Sequence, residues 1–556
     1  PAGQRIFSGQ GIDVAKWLTE HGNSETLYLL PVRPHTSPTT RPELFSIRTY
    51  YEGQSAIAYP ELDEASLRAV LAQLAVNRAL VKVLLPEHLG VDPKGLISFL
   101  LEPHGTLVDE ELIYGFTVWT YRLLSPAEDF ASDMTEKPLD VRFGAHLQLV
   151  NYTIEQERIT AGQPLWVKMT WTILEPTDKD CGTQLALTDA NGYVIARTDR
   201  MLLDDDFFRT TSHWQPGRLS SAYYRLSIPR ETPPGKYRLG IVAYETNGER
   251  LAPSRDGQGD LTLPLAEIEV VPSSPPITTG YPDADYAIDV AMTPSLHLIG
   301  AEVSSTVARS GDLLRITLTW QARSSLDENL YLSLGLSRQG KVYALTSPHP
   351  LVSQTYPTSV WQPGETLRVN YPFLLPADLE SGEYILGLRL LVFPDQRVIS
   401  EIALQKLNVE ARTHRFTIPP IEQPLSLHFG DSILLLGYDR PVVSIPDREI
   451  RVRLYWQASA PLEDSYIVFL HLVDKSNAIV AQIDTLPGNG DAPTTGWVVG
   501  EVITDTLRLP LPATLPAGSY RLILGMYHSV SGTRLPIAGL SGTGDSLVLE
   551  EIEVAD

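Results

Sequence analysis

The chain has 556 residues, one fifth of them charged, and a formal charge of −23 at pH 7. That length fits about four domains of ~100–200 residues, and the charge argues against a nucleic-acid partner and against an anionic membrane surface, both of which need clustered Lys and Arg. A single cysteine, Cys181, excludes an intramolecular disulfide and a thiolate metal cage. No run reaches the ~18 apolar residues of a spanning helix. The chain opens on Pro1 with no visible signal peptide, so the expectation is a processed product or a piece of something longer, with any membrane anchor outside it.

Residues 1–125 alternate helical and strand patterns. Ile12, Ala15, Trp17 and Leu18 mark one side of a helix over 12–21, and 27–32 is a compact apolar strand. Leu67, Val70, Leu71 and Leu74 predict a helix over 63–77, with Asp63 or Glu64 favouring its N-terminus. Residues 80–85 read as a buried strand, 92–101 as a third helix, and 105–114 with 117–123 as a hairpin around Gly115. Strands interleaved with helices predict a small α/β domain. It carries no nucleophile elbow, dinucleotide fingerprint, Walker loop or zinc-protease motif. Ser8-Gly9-Gln10-Gly11 is a weak anion-nest candidate that reads more plainly as a turn and N-cap, and His35, His88 and His104 read as solvated or packing residues.

The rest of the chain repeats. A tryptophan closes an alternating run at Trp171, Trp320 and Trp456; a second follows at Trp214, Trp361 and Trp497, after 43, 41 and 41 residues. Exactly three residues beyond that second tryptophan stand Gly217, Gly364 and Gly500, twice within Trp-Gln-Pro-Gly. A Gly-x-Tyr triplet then places Tyr237, Tyr384 and Tyr520, each 23 residues after the second tryptophan. The alternating residues (Leu165, Val167 and Met169 in the first copy) predict a strand with one buried face, and the glycines predict tight turns.

Many short strands, frequent turns and no helical period predict three tandem Ig/fibronectin-like β-sandwich modules behind the α/β domain, with a jelly roll as the runner-up. The expected domains are 1–125 (α/β), 141–272, 294–411 and 429–556 (sandwiches). Linkers fall at 126–140, 273–293 and 412–428, the last two rich in proline and stiff enough for a short rod.

Within the modules, Trp214, Trp361 and Trp497 are candidates for stacking a sugar ring, against the plainer reading as core. Asp189 and Asp199 lie 18 and 28 residues after Trp171, and Asp474 and Asp484 lie at the same offsets after Trp456. These four are candidate Ca²⁺ ligands, against the plainer reading as hairpin turns. Asp204-Asp205-Asp206 is a second acidic candidate. Asn151-Tyr152-Thr153 fits a glycosylation sequon.

Asp13-Val14-Ala15-Lys16-Trp17-Leu18, Thr26-Leu27-Tyr28-Leu29-Leu30, the Gly115-Phe116-Thr117-Val118-Trp119 segment and the Trp-x-x-Gly and Gly-x-Tyr signatures carry a resemblance. In this order they are similar to the extracytoplasmic C-terminal part of bacterial multispanning glycosyltransferases of the dolichyl-phosphate-mannose protein mannosyltransferase superfamily, as in filamentous green bacteria. The third module, from Phe469-Leu470-His471-Leu472-Val473-Asp474 to Arg534-Leu535, matches best. The resemblance implies that the catalytic acids sit on a loop between early transmembrane helices. That region is absent here, so no catalytic or cofactor residue carries over.

The expected function is therefore a non-catalytic extracytoplasmic region attached to a membrane glycosyltransferase, spacing or recruiting glycan or cell-envelope protein partners, with homo-oligomerisation open. An independent surface-layer protein and a carbohydrate-binding array are the alternatives. An enzyme in the α/β domain has no legible nucleophile–base pair behind it.

Overall fold

The computed structural model describes residues 2–32, 42–75, 78–86, 92–124, 130, 135–248, 250–254, 261–273, 275–276, 287–444, 446–512, 515–539 and 544–554, with the side chains of 2–10 and 42–45 left aside. These residues form a multidomain, mostly β structure of seven sheets.

The N-terminal region runs α1 (Ala2–His21), β1 (Thr26–Leu29), α2 (Pro42–Tyr50), β2 (Ala56–Ala58), α3 (Glu64–Leu74), β3 (Leu80–Pro86), α4 (Leu96–Leu101), β4 (Gly105–Ile113) and β5 (Phe116–Leu123). The sheet order is β2-β1-β3-β5-β4, with β2, β1 and β3 parallel and β5 and β4 antiparallel. Parallel neighbours need a crossover, which α2 and α3 supply. Val14, Leu18, Tyr28, Leu84 and Val118 pack on one face, and Leu27, Leu67, Leu71, Val83 and Phe99 on the other. Burial on both faces explains why β3 reads as a continuous apolar run.

The sequence pattern misses α2 and β2, because nine and three residues are too few to show a period. The predicted third helix begins later, at Leu96: Asp92 accepts from the amides of Ile97 and Ser98 at 3.0 and 2.9 Å, so residues 92–95 form its entry turn. Asp63 caps α3, accepting from the Ser66 amide at 2.9 Å.

The first sandwich contains β6 (Lys137–Phe143), β7 (Leu147–Ile154), β8 (Arg158–Thr160), β9 (Pro164–Ile173), β10 (Cys181–Thr188), β11 (Val194–Met201), β12 (Ser220–Ser227), β13 (Gly235–Glu245), β14 (Arg250–Leu251) and β15 (Leu263–Val271). One sheet has the order β12-β9-β7-β6. The other is β11-β10-β13-β15-β8, with β14 on β13 and β8 parallel to β15. A single apolar cluster fills the space between them. Two further sheet pairs, spanning 287–410 and 423–554, repeat the arrangement around their own cores, the third without the parallel edge strand among the described residues.

The expected linkers are shorter than the sequence implied. The opening strands Lys137–Phe143, Ala287–Ala291 and Gln423–Phe429 begin inside 126–140, 273–293 and 412–428. Each carries a register shift against its neighbour, and the bulge together with Pro138, Asp289 or Pro424 hides the two-residue period.

The recurring landmarks form one hydrogen-bonded lattice, built three times. Trp171, Trp320 and Trp456 are fully buried. The turn glycines hold φ of +76°, +87° and +83°, and their amides return to the carbonyls of Ile173, Ala322 and Ala458 at 2.9, 2.7 and 2.8 Å. The third copy makes this bond without the proline. The corner tyrosines Tyr237, Tyr384 and Tyr520 each donate to the carbonyl four residues upstream, at 2.7, 3.0 and 2.7 Å.

A fourth landmark went unread in the sequence: Thr211, Thr358 and Thr494, three residues before each second tryptophan. Each hydroxyl donates to one backbone carbonyl (Lys179, Glu328, Asp464) and accepts one amide (Cys181, Leu330, Tyr466), at 2.7–3.1 Å. Removing such a hydroxyl strands two backbone groups. Thr358→Val therefore lowers the stability of the second sandwich by about 1–3 kcal/mol in urea unfolding, and Thr358→Ser keeps most of it.

The copies differ behind the first tryptophan. Trp320 Nε1 donates to the Tyr371 hydroxyl at 3.1 Å, and Tyr224 holds the same register in the first sandwich. The third has Leu507 there, with fully buried Asp505 two residues earlier. Burial pushes the Asp505 carboxyl up to about 6, against the Gly488 amide and the Trp456 indole N–H, which pull it down. Unfolded, the group ionises near 3.8, so the folded chain holds the proton more tightly and loses stability as pH rises through that interval. Asp505→Asn is expected to stabilise the third sandwich above pH 6 by on the order of 2–3 kcal/mol and to leave it unimproved at pH 4, read from thermal midpoints across that range.

Candidate functional site

The second tryptophans are 8, 3 and 3% exposed for Trp214, Trp361 and Trp497. Each belongs to its sandwich core, and each Nε1 donates to the carbonyl five residues upstream, at 2.9, 3.5 and 2.8 Å. A sugar ring needs an open aromatic face, and the cores cover these.

The four aspartates occupy two kinds of place. Asp189 accepts from the amides of Asn191 and Tyr193, both at 2.9 Å, and Asp474 accepts from those of Ser476 and Ala478 at 2.8 and 2.9 Å. Both close hairpins. Burial raises the Asp189 carboxyl, whereas hydrogen bonds from Ser476 hold that of exposed Asp474 low. Asp199 pairs across the strands with Gln184, and Asp484 with Phe469, each partner five residues back along its strand from the hairpin aspartate. That is about 17 Å of strand, too far for two carboxylates to share one Ca²⁺.

Asp484 instead joins a buried cluster, accepting from Tyr527 at 3.2 Å and lying 2.8 Å from His471 Nε2, with Arg534 over the Phe469 ring. The segment that carries the resemblance is thus packing around a sheet face. Among the described residues, no group of three or more His, Cys, Asp or Glu is placed to hold a metal.

The remaining candidates are absorbed by structure. Asp204, Asp205 and Asp206 each hold a cation: Arg209, Lys94 and Arg218. Ser8-Gly9-Gln10-Gly11 lies within α1, not ahead of a helix, so its amides serve the helix. His104 packs on Phe130 at 4.5 Å, and His35 and His88 lie outside the described residues. Asn151 lies in β7, its amide 3.3 Å from Glu136. Cys181 is buried 3.5 Å from His146 Nε2, and burial pushes its thiol up to about 11. Such a thiol is unreactive at neutral pH. No helix among the described residues is long and apolar enough to cross a membrane.

What the landmarks leave free lies at the junctions. The outer face of β9 and β12 is not wet, as the alternation implied. Trp166 and Tyr223 join the α/β core, with Phe99 at 5.9 and 4.9 Å. Glu64 accepts from Tyr223 at 3.0 Å and pairs with Lys168 at 2.8 Å, and buried Lys94 reaches Asp205 and Ser220. Trp166, an aromatic in the polar register, was the readable signal.

The sandwiches also touch one another. The Arg368 amide donates to the Glu231 carbonyl at 2.8 Å, and Arg315 lies over the Tyr193 ring. Val530 of the third sandwich packs against Gly192 of the first, where the Arg238 guanidinium reaches the Val530 carbonyl at 3.5 Å. A straight rod would keep those two sandwiches apart.

The closest approach is between the second and third. A Cβ at Gly311 would lie 2.2 Å from the Gly496 Cα, and Thr495 donates to the Gly311 carbonyl at 2.8 Å. Gly496 stands where the other copies have His213 and Val360. Arg412 locks the joint: its Nε donates to the Ser310 carbonyl at 2.6 Å, and its guanidinium also binds Asp312 and the Asp491 carbonyl. His414 bridges Glu501 at 2.8 Å and the Ala377 carbonyl at 3.2 Å. Beside this joint opens a cavity of about 470 Å³, bordered by Arg309, Glu410, Arg412, Arg415, Asp491 and Trp497 among others.

No family model matches the sequence, and no curated protein matches it either. Among solved structures the chain is similar to the crystal structure of red sea bream transglutaminase, at 12% identity over 48% of this chain and 32% of that one. The TM-score is 0.14, and that likeness carries no argument about fold or function.

Gly496→Val, which installs the second copy's residue, drives a side chain into the Arg412 side chain that locks the joint, since a Cβ there would lie 2.8 Å from Arg412 Nε. The expected result is a larger radius of gyration in X-ray scattering and new proteolytic cleavage within 411–424, with the third sandwich still folded. An unchanged scattering curve would show that the joint does not depend on this contact.

Proposed function

We propose that this chain is a non-catalytic extracytoplasmic region, built of a small α/β domain and three Ig/fibronectin-like sandwich modules. It would be attached to a membrane glycosyltransferase of the dolichyl-phosphate-mannose protein mannosyltransferase superfamily. Its work is to space or recruit glycan or protein partners beside that enzyme at the cell surface.

The observation that carries the reading is the use made of the recurring residues. Every tryptophan, glycine, threonine and tyrosine of the repeat serves a core, a turn or a corner, which is what scaffold modules need and what a repeated active site would not do. The module type is supported by the tyrosine bonds four residues upstream and by the parallel β8–β15 pair that closes one sheet. Family membership is supported by the order of the pieces and by the third-module segment around His471.

The test is made on the native organism's envelopes. Antibody against this chain is expected to label intact cells, and the antigen is expected to stay with membranes through a carbonate wash. Release by carbonate would leave an independent surface-layer protein, and labelling only after permeabilisation would contradict the extracytoplasmic placement.

A further inference from the structure

We infer that the cleft between the second and third sandwiches is a binding site for a neutral oligosaccharide. The inference rests on the proposed surface role only for the source of the glycan; the cleft is argued from its own geometry.

Its size is right. The cavity of about 470 Å³ falls within the ~300–1,000 Å³ of small-molecule sites, which favour domain interfaces. A second cavity of about 270 Å³ shares Arg309, Glu410 and Arg412 with the first, so the groove continues past Arg412. A groove that runs past a fixed side chain suits a chain of rings better than a single ring.

Its charge is balanced. Arg309, Arg412 and Arg415 face Glu410, Asp491 and Glu501. An anion attracted by the arginines meets three carboxylates, and a cation meets three guanidiniums. A neutral polyol meets neither penalty, and its paired hydroxyls can donate to carboxylates while accepting from guanidiniums, whose planar fork suits two acceptors at once.

Its wall is fixed, with two groups in reserve. Arg412 is held by Ser310, Asp312 and Asp491, and Glu501 Oε2 by His414 and the Val498 amide at 2.8 and 3.0 Å. Preorganised groups lose little freedom on binding. Arg415 and Glu410 are exposed, and among the described residues neither side chain has a hydrogen-bond or ion-pair partner. These are the groups left to meet a ligand. Trp497 contributes only an apolar border, its N–H already spent on Ala492.

The test uses the full chain on a printed array of neutral and anionic oligosaccharides, followed by titration calorimetry with the best neutral binder. Arg415→Ala and Glu410→Gln, both at exposed positions, are expected to fold as the parent by circular dichroism. Each is expected to weaken binding about tenfold or more, the worth of one charge-assisted hydrogen bond. Hydrogen exchange with the bound sugar is expected to slow in 410–415 and 491–504. A folded chain that binds nothing on the array, binds only anionic glycans, or binds neutral ones equally well in both variants overturns the inference. Each of these can occur whether or not the chain proves to be membrane-attached.

Discussion

The constraint on which the structure depends is the bond from each turn glycine back to the strand that carries the buried first tryptophan. Gly217, Gly364 and Gly500 reach Ile173, Ala322 and Ala458 with positive φ. This bond fixes where the second tryptophan enters the core, and the threonine three residues before it clamps the same segment to the entry of a strand in the opposite sheet, at Cys181, Leu330 and Tyr466. One small set of bonds thus closes each sandwich. Their cost in conformational freedom is met by burying two indoles per copy.

That use of the aromatics decides where recognition can occur. Residues locked in a core offer no face to a ligand, and hairpin aspartates whose Oδ1 serves their own turn amides stand, among the described residues, without the further ligands a metal needs. The variable positions between the landmarks are where copies diverge: Trp166 in the first, Gly496 and Asp505 in the third. Two of these make junctions, the first with the α/β domain and the second with the neighbouring sandwich. The groove beside Gly311 and Gly496 follows from the second, because a Cβ on Gly311 would strike Gly496 and one on Gly496 would strike Arg412; without them the turns meet and bring these arginines and carboxylates to one edge.

Much of the fold was legible in the sequence because it rests on local rules. Alternation gave the strands ending at Trp171, Trp320 and Trp456; glycine gave the turns; helical spacing gave α3. What was hidden depends on partners distant in the chain. β2 is a strand only through β1, the bulged opening strands are strands only through their neighbours, and Thr358 looks like any loop threonine until Glu328 and Leu330 are placed beside it. The candidate sites failed for a related reason. Equal spacing of Asp189 and Asp199 with Asp474 and Asp484 recorded a shared hairpin, and register then placed the members of each pair far apart. The cleft left no motif at all, since Arg309, Arg412 and Asp491 meet only when two modules dock.

The claim at the centre of this account is that the six landmark indoles are scaffold. Oxidation of the folded chain with N-bromosuccinimide, mapped by mass spectrometry, tests it directly. The account predicts reaction at the partly exposed Trp17 and Trp119, with Trp171, Trp320, Trp456, Trp214, Trp361 and Trp497 reacting only after urea unfolds the chain. Rapid native-state oxidation of Trp214, Trp361 and Trp497, suppressed by added glycan, would contradict it.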